Sequence, residues 1–181
     1  MNHKNPWKTL SSITQYKNQY ITLVEDKVIK PDGKEGIYGY VKVRPTLGIV
    51  PVDKNNNIYL CRQFRYIFKD ESWEIPRGFL DDKETVEKAV RRELNEEAGL
   101  VSSTLTFIGS LRLSIGVIDE QCKIYLAQDL SQDKNFKLQK NEIEEVKCFP
   151  FNEVLAMIKE GKILDGLTVG TVLMAKEKLN F

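Results

Sequence analysis

Apolar and polar positions alternate most clearly between Asn57 and Phe64, where Ile58, Leu60, Arg62 and Phe64 oppose Tyr59, Cys61 and Gln63. A period of two marks a strand. The run Thr46 to Val52 precedes it, and Asp53 to Asn56 supplies a polar turn, so the two runs predict paired core strands. Upstream, β-type runs at Gln19 to Val24 and Gly36 to Arg44 flank the turn signal Pro31-Asp32-Gly33 and predict a small sheet module. Strand-like runs return at Thr104 to Ser110, Gln121 to Ala127 and Val146 to Phe149. Asp82 to Ala98 reads instead as a helix, with Gly99 placed for a left-handed cap. Asn152 is placed to cap a short helix ending at Gly161, and Leu167 to Leu179 has the apolar spacing of a last helix. Strands, one helix, more strands and two helices predict an α+β fold rather than a doubly wound parallel sheet. The expected division is a β module over residues 1–44 and a main domain over 45–181.

Composition narrows the class. With 27 Lys plus Arg against 26 Asp plus Glu the net charge is +1, so no global basic field draws the chain to nucleic acid or an anionic membrane. Cys61, Cys122 and Cys148 are odd in number and widely spaced, without a Cys-x-x-Cys pair, and read as reduced, partly buried thiols. No apolar run approaches the ~18 residues of a spanning helix, which predicts a soluble, cytoplasmic protein with no membrane partner.

The helix carries the chemistry. On a wheel of about 100° per residue with Glu93 at zero, Val86 falls near ~20°, Glu97 near ~40°, Val90 near ~60°, Leu94 near ~100° and Ala89 near ~320°. Two carboxylates therefore lie inside the apolar stripe. They also form a like-charge i, i+4 pair, costing about 0.2–0.5 kcal/mol. The helix end they occupy disfavours anions by a further ~0.3–1 kcal/mol. A divalent cation removes all three objections together. Oxygen-only donors point to Mg²⁺, with Mn²⁺ as the alternative, and to water attack on a phosphate whose oxygens the metal bridges.

At this point a resemblance becomes specific. Gly78-Phe79-Leu80-Asp81-Asp82-Lys83-Glu84, then seven residues, then Arg92-Glu93-Leu94-Asn95-Glu96-Glu97-Ala98-Gly99-Leu100 matches each fixed position of the Nudix box. The chain is thereby identified as resembling the Nudix hydrolases. That resemblance implies a loop–helix–loop against a mixed sheet in an α/β/α sandwich, with Glu93, Glu96 and Glu97 as metal ligands. It further implies that the backbone carbonyl near Arg77 joins the metal shell, that Gly78 makes a tight loop, that Glu84 is a supporting or additional ligand, and that Arg92 holds the glutamates. A surface cation is the plainer reading of Arg92.

The flanks resemble the ADP-ribose and nucleoside diphosphate sugar pyrophosphatase branch. The likeness rests on the amino-terminal module, Cys61-Arg62-Gln63-Phe64-Arg65-Tyr66, Trp73-Glu74-Ile75-Pro76-Arg77-Gly78 and Ile163-Leu164-Asp165-Gly166-Leu167-Thr168. It implies that Arg65 contacts a substrate phosphate, the alternative being an arginine paired with a carboxylate. It also implies a homodimer, with Trp7 and Tyr20 as candidates to stack on the base. Two departures stand out. Ser114-Ile115-Gly116 replaces the Ser-Pro-Gly usual in ADP-ribose enzymes, and Arg77 stands where Ala often precedes the box glycine. An ADP- or GDP-hexose therefore competes with ADP-ribose, and Arg77 is a candidate phosphate or sugar contact. Glu120 matches a position that binds substrate or metal, or else merely flanks a strand. For the general base the resemblance points to a downstream acidic loop, where Glu142 is preferred over Glu144, Glu145 and Glu120; a solvated loop is the bland alternative.

The expected reaction yields a nucleoside monophosphate and a sugar phosphate. A pyrophosphohydrolase of oxidised nucleoside triphosphates and a non-catalytic nucleotide sensor are the competing readings. Intact box glutamates disfavour the second.

Overall fold

The computed structural model describes residues 4–138 and 143–180. The chain runs β1 (Lys8–Lys17), β2 (Ile21–Ile29), β3 (Glu35–Val43), β4 (Thr46–Pro51), β5 (Asn57–Arg65), β6 (Asp70–Glu74), β7 (Arg77–Phe79), α1 (Val86–Ala98), β8 (Leu100–Leu111), β9 (Ile118–Asp119), β10 (Cys122–Gln132), β11 (Ile143–Pro150), α2 (Phe151–Lys159) and α3 (Gly166–Leu179). The architecture is α+β with mixed sheets, in line with the expectation from the order of elements. Contacts divide it into two units, Met1–Arg44 with Arg112–Glu120, and Pro45–Leu111 with Gln121–Phe181.

The first unit is a sheet of order β1-β2-β3-β9, antiparallel except for the parallel pair β3–β9. That parallel pairing brings Arg112–Glu120 into this unit, a placement that no local sequence pattern announces. The β1–β2 turn is held by the Asn18 side chain, which accepts from the amides of Tyr20 and Ile21, each at 2.8 Å. β1 escapes the sequence pattern because all its residues are exposed, so no buried face imposes alternation.

The second unit has helices on both faces of its sheets. Order β7-β4-β10-β8 joins β4 and β10 in parallel and the rest antiparallel, and β11-β5-β6 is wholly antiparallel. Leu47, Ile49, Cys61 and Ala127 pack with Ala89, Val90 and Leu94 of α1. Val50, Ile58, Leu60 and Ile124 pack with Val154 of α2 and Leu167, Val172 and Ala175 of α3. Alternate residues of one strand thus feed two apolar layers, which is why β4 is buried almost throughout.

Several elements depart from the pattern reading. α1 starts at Val86 rather than Asp82, because Lys83 sits at φ 68° and the Thr85 hydroxyl accepts from the Lys88 amide as N-cap. Gly99 does close it, at φ 66°. Asn152 does not cap α2. The helix begins after Pro150, whose φ of −53° suits entry, and the Phe151 amide bonds the Asn56 carbonyl at 3.0 Å, so that donor has a partner without a side-chain cap. β6 was hidden by its polar composition at a sheet edge. Among the described residues no cysteine forms a disulfide, Cys61 and Cys122 are buried, and no helix is long and apolar enough to cross a membrane.

Candidate active site

α1 is the spine of the site. Its apolar stripe of Ala89, Val90 and Leu94 is fully buried, and that packing carries Glu93 inward until only 8% of it is exposed. Glu97, one turn on, stands over β5, where the Cys61 thiol donates to the Glu97 carbonyl at 3.5 Å. Its carboxylate Oε2 accepts from the Arg77 amide at 2.8 Å. Glu96 lies on the exposed side of the helix.

Burial, the largest influence on both groups, pushes the Glu93 and Glu97 carboxyls up from the ordinary carboxylate range. For Glu93 the Arg92 guanidinium opposes the rise. Glu97 reaches about 8, with the Arg77 amide opposing and the Glu93 charge reinforcing the rise.

Arg92 is the hub that holds this acidity in place. Its Nε and Nη2 donate to the two oxygens of Glu84 at 3.1 and 2.9 Å, Nη1 to Glu93 at 2.7 Å and to Glu96 at 3.2 Å, and Nη2 to the Phe79 carbonyl at 3.0 Å. This is an organising position rather than a stray surface cation. The fork geometry of guanidinium permits such simultaneous donation, which a lysine cannot reproduce. The same contacts hold Glu84 below the usual carboxylate range.

Gly78 has a reason other than its backbone angles, since it is absent from the residues with positive φ. A Cβ there would lie 2.0 Å from the carboxyl carbon and Oε1 of Glu93. The glycine is a slot that the Glu93 carboxylate fills.

A second group of charges flanks Glu97. Glu74, 1% exposed, accepts from Nε of Arg65 at 2.7 Å and from Arg65 Nη2, and its Oε2 also lies 3.2 Å from Nη2 of Arg77. Nη1 of Arg77 donates to Asp165 at 3.3 Å. Asp165 is the N-cap of α3 and accepts from the amide and hydroxyl of Thr168 at 2.9 and 2.7 Å, while the Thr168 hydroxyl accepts from the Ile75 amide at 3.1 Å. Sequence reasoning assigned no role to Glu74 or Asp165. The available signal was a lone acid, Glu74, in the otherwise apolar run Trp73-Glu74-Ile75.

The remaining candidates are dispersed. Glu144 and Glu145 are ion-paired to Arg62 at 3.0 and 3.2 Å, and Glu142 lies outside the described residues. Trp7, Tyr20 and Glu120 belong to the first unit. There Trp7 meets Tyr38 edge-on at 5.5 Å and lines a shallow cleft with Asn5, Thr9, Asp26 and Val28; Tyr20 is not part of it.

Among the described residues no three or more His, Cys, Asp or Glu side chains converge as a ready-made metal cage. Arg92 and the Arg77 amide occupy the carboxylate oxygens instead. The donor chemistry nevertheless fits a hard divalent cation, because such ions commonly take only part of their shell from protein carboxylates and the rest from water and phosphate. The upward-shifted pKa values of Glu93 and Glu97 and the Glu93 slot mark carboxylates held where their charge is costly without positive charge nearby.

A helix presenting buried carboxylates to a glycine slot, with two arginines alongside, has the donor chemistry for a divalent cation and for an anionic ligand. Comparison specifies the class of protein. Residues 42–166 match the family model described as NUDIX domain, and residues 7–41 match the nucleoside diphosphate sugar hydrolase N-terminal domain. The chain belongs to the Nudix family, and it is a Nudix hydrolase. It is 28% identical over 172 residues to an ADP-ribose pyrophosphatase of Mycobacterium tuberculosis, covering 94% of this chain and 83% of that one. It is 29% identical over 175 residues to an ADP-ribose pyrophosphatase of Bacillus subtilis, covering 95% of each. A crystal structure of ADP compounds hydrolase superposes with a TM-score of 0.86 at 19% identity, covering 99% of this chain and 97% of that one. Nudix hydrolases generally need a divalent metal.

The Glu97 carboxyl links pH to stability. A folded-state value near 8, against an ordinary 4.5, means that the fold prefers the protonated acid. This contribution is complete below about pH 4.5 and is lost as pH rises through about 8. The upward direction for Glu93 acts with the same sign, and the lowered Glu84 acts in a more acidic window. The chain has one histidine, and the Cys61 and Cys148 thiols, both pushed up by burial, add a loss of the same sign only at the alkaline end of this range. In chelator, the thermal midpoint is expected to fall by roughly 5 °C from pH 5.5 to pH 9. Glu97→Gln should flatten the slope. An equally steep slope in that variant would reject the assignment.

Proposed function

We propose that the chain hydrolyses the diphosphate bond of a nucleoside diphosphate sugar, ADP-ribose or an ADP- or GDP-hexose, to a nucleoside monophosphate and a sugar phosphate. The observation that carries this reading is the pair of guanidinium groups, Arg65 and Arg77, that meet on Glu74 near enough to Glu97 of α1 to oppose the rise of its carboxyl. Guanidinium matches phosphate oxygens in charge and geometry. The two ADP-ribose pyrophosphatase relatives and the match at residues 7–41 support the substrate class.

In this proposal Glu93, Glu96, Glu97 and the Arg77 carbonyl hold Mg²⁺, with Mn²⁺ as the alternative. When bound, that ion supplies charge stabilisation on phosphate oxygens and a more acidic water. Arg92 keeps Glu84, Glu93 and Glu96 from drifting apart. Arg65 and Arg77 bind and orient the diphosphate. Glu142 is the proposed acceptor of the water proton; Glu144 and Glu145 are committed to Arg62, which favours Glu142 over them. Homodimerisation through the amino-terminal module, with Trp7 and Tyr20 stacking on the base and Glu120 near the substrate, completes the proposal.

The test is incubation of purified protein and Mg²⁺ with ADP-ribose, ADP-glucose, GDP-mannose, NADH and 8-oxo-dGTP, with chromatographic identification of products. Release of a nucleoside monophosphate from one sugar nucleotide is expected. Turnover of 8-oxo-dGTP alone, with pyrophosphate released, would overturn the substrate class. A monomer in light scattering would remove the dimer.

A further inference from the structure

Two arginines side by side repel each other, and long side chains lose considerable rotamer freedom when fixed in one place. Here both converge on one carboxylate. Glu74 is among the largest fully buried side chains, yet it is charged, and a buried charge persists only when paired and hydrogen-bonded. Its Oε1 takes Nε of Arg65, and its Oε2 takes both Nη2 of Arg65 and Nη2 of Arg77. The far side of Arg77 is tied to Asp165, which is fixed in turn by capping α3 and by the Thr168 hydroxyl. Both guanidinium groups remain about one third exposed, at 32% and 28% for their side chains. Nη1 of Arg65 and Nε of Arg77 take no part in these bonds. The arrangement has a buried anchor, two cations in register and donors left over at the open end.

We propose that Glu74 is a positioning residue that locks Arg65 and Arg77 into a single two-armed clamp for the substrate diphosphate, and that Asp165 sets the outer arm. This rests on the reading above that the two arginines bind the diphosphate. It adds that their affinity for it depends on a buried acid that never touches substrate. Glu74 and Asp165 together neutralise the two arginines, so the clamp carries little net charge before substrate arrives. It therefore recognises the diphosphate through aimed donors more than through bulk attraction. Arg77 also gives Asp165 a second task, since a helix cap needs only an oxygen acceptor and not a charge.

The experiment is steady-state kinetics of the full chain on whichever sugar nucleotide it turns over, for Arg65→Ala, Arg77→Ala, Glu74→Gln, Asp165→Asn and the pairs Glu74→Gln/Arg77→Ala and Asp165→Asn/Arg77→Ala. Each arginine variant is expected to raise KM at least about tenfold, the worth of one charge-assisted hydrogen bond. Glu74→Gln, similar in shape and uncharged, is expected to raise KM by about the same factor with kcat within about threefold, because the groups on α1 are untouched. In the Asp165→Asn/Arg77→Ala pair the second substitution should add much less than its own factor, since both act through Arg77, whereas Glu74→Gln/Arg77→Ala should keep only the part of the Glu74 effect that passes through Arg65. Asp165→Asn retains a capping side chain, so it reports on Arg77 even where Glu74→Gln folds poorly.

Unchanged KM in both arginine variants would overturn the diphosphate-binding reading itself. A raised KM in those variants with wild-type KM in Glu74→Gln and Asp165→Asn would leave that reading standing and overturn the positioning role. Factors that simply multiply in the pairs, or a loss confined to kcat and thermal stability, would show Glu74 to be a structural acid only.

Discussion

Glu97→Gln is expected to lower turnover more than about 100-fold at saturating Mg²⁺, beyond the 10–100-fold typical of residues that only support a metal ligand. The same variant is expected to match or exceed the parent in thermal stability at pH 8. These two outcomes follow from one fact. The Glu97 carboxyl is buried, so its ionisation is costly to the fold and its pKa rises to about 8. Glutamine removes that cost and still offers an amide oxygen to the Arg77 N–H, which Glu97 Oε2 now accepts at 2.8 Å. A residue retained only for structure would show the reverse, with stability falling and turnover following it. Wild-type turnover in this variant, measured with a substrate that the parent cleaves, would remove Glu97 from the catalytic set.

The second large effect concerns Gly78. Alanine there places a Cβ 2.0 Å from the Glu93 carboxylate, far inside van der Waals contact. The atoms that must yield are the end of a side chain and not backbone, and the glycine has no positive φ to relax. Gly78→Ala is therefore expected to fold with a thermal midpoint within about 4 °C of the parent, a change of ~1–2 kcal/mol at this size. Its activity should fall about 10–100-fold, because Glu93 is expelled from its slot and Arg92 loses the partner it holds at 2.7 Å. Isothermal titration with Mn²⁺ provides the second readout, with weaker binding expected. A variant that loses stability while its folded fraction keeps full activity would show that the slot serves packing alone.

Glu93 and Glu97 illustrate how far a linear pattern reaches. Helical periodicity placed both inside the stripe of Val86, Ala89, Val90 and Leu94, and the structure has Glu93 buried and Glu97 half-buried there. The inference worked because the 3.6-residue period is local and the apolar stripe must face the core. Gly99 as a cap was legible for the same reason, since a left-handed residue at a helix end is a local demand. By contrast β1, fully exposed, and β6, polar and at an edge, carry no alternation to read. The start of α1 was misplaced by four residues because Lys83 adopts a left-handed conformation that its residue type does not advertise. Asp165 caps α3 with its side chain, while Asn152 caps nothing, because α2 enters from Pro150 and its Phe151 amide bonds the Asn56 carbonyl.

By itself the sequence determined the α+β class, the helix that bears the glutamates, the family to which the box belongs and the absence of a strong global charge. Each of these rests on local periodicity, on fixed spacing or on composition. Only the tertiary structure decided that Arg92 joins Glu84, Glu93 and Glu96, that Gly78 is a slot for a carboxylate, and that Glu74 and Asp165 bind the two arginines. Apart from the links of Arg92 to Glu93 and Glu96 within α1, those contacts join residues of different segments, Arg77 with Asp165 and Arg65 with Glu74 among them. Which acid meets which base across such distances is set by strand order, register and the packing of both helical layers, and no run of neighbouring residues records it.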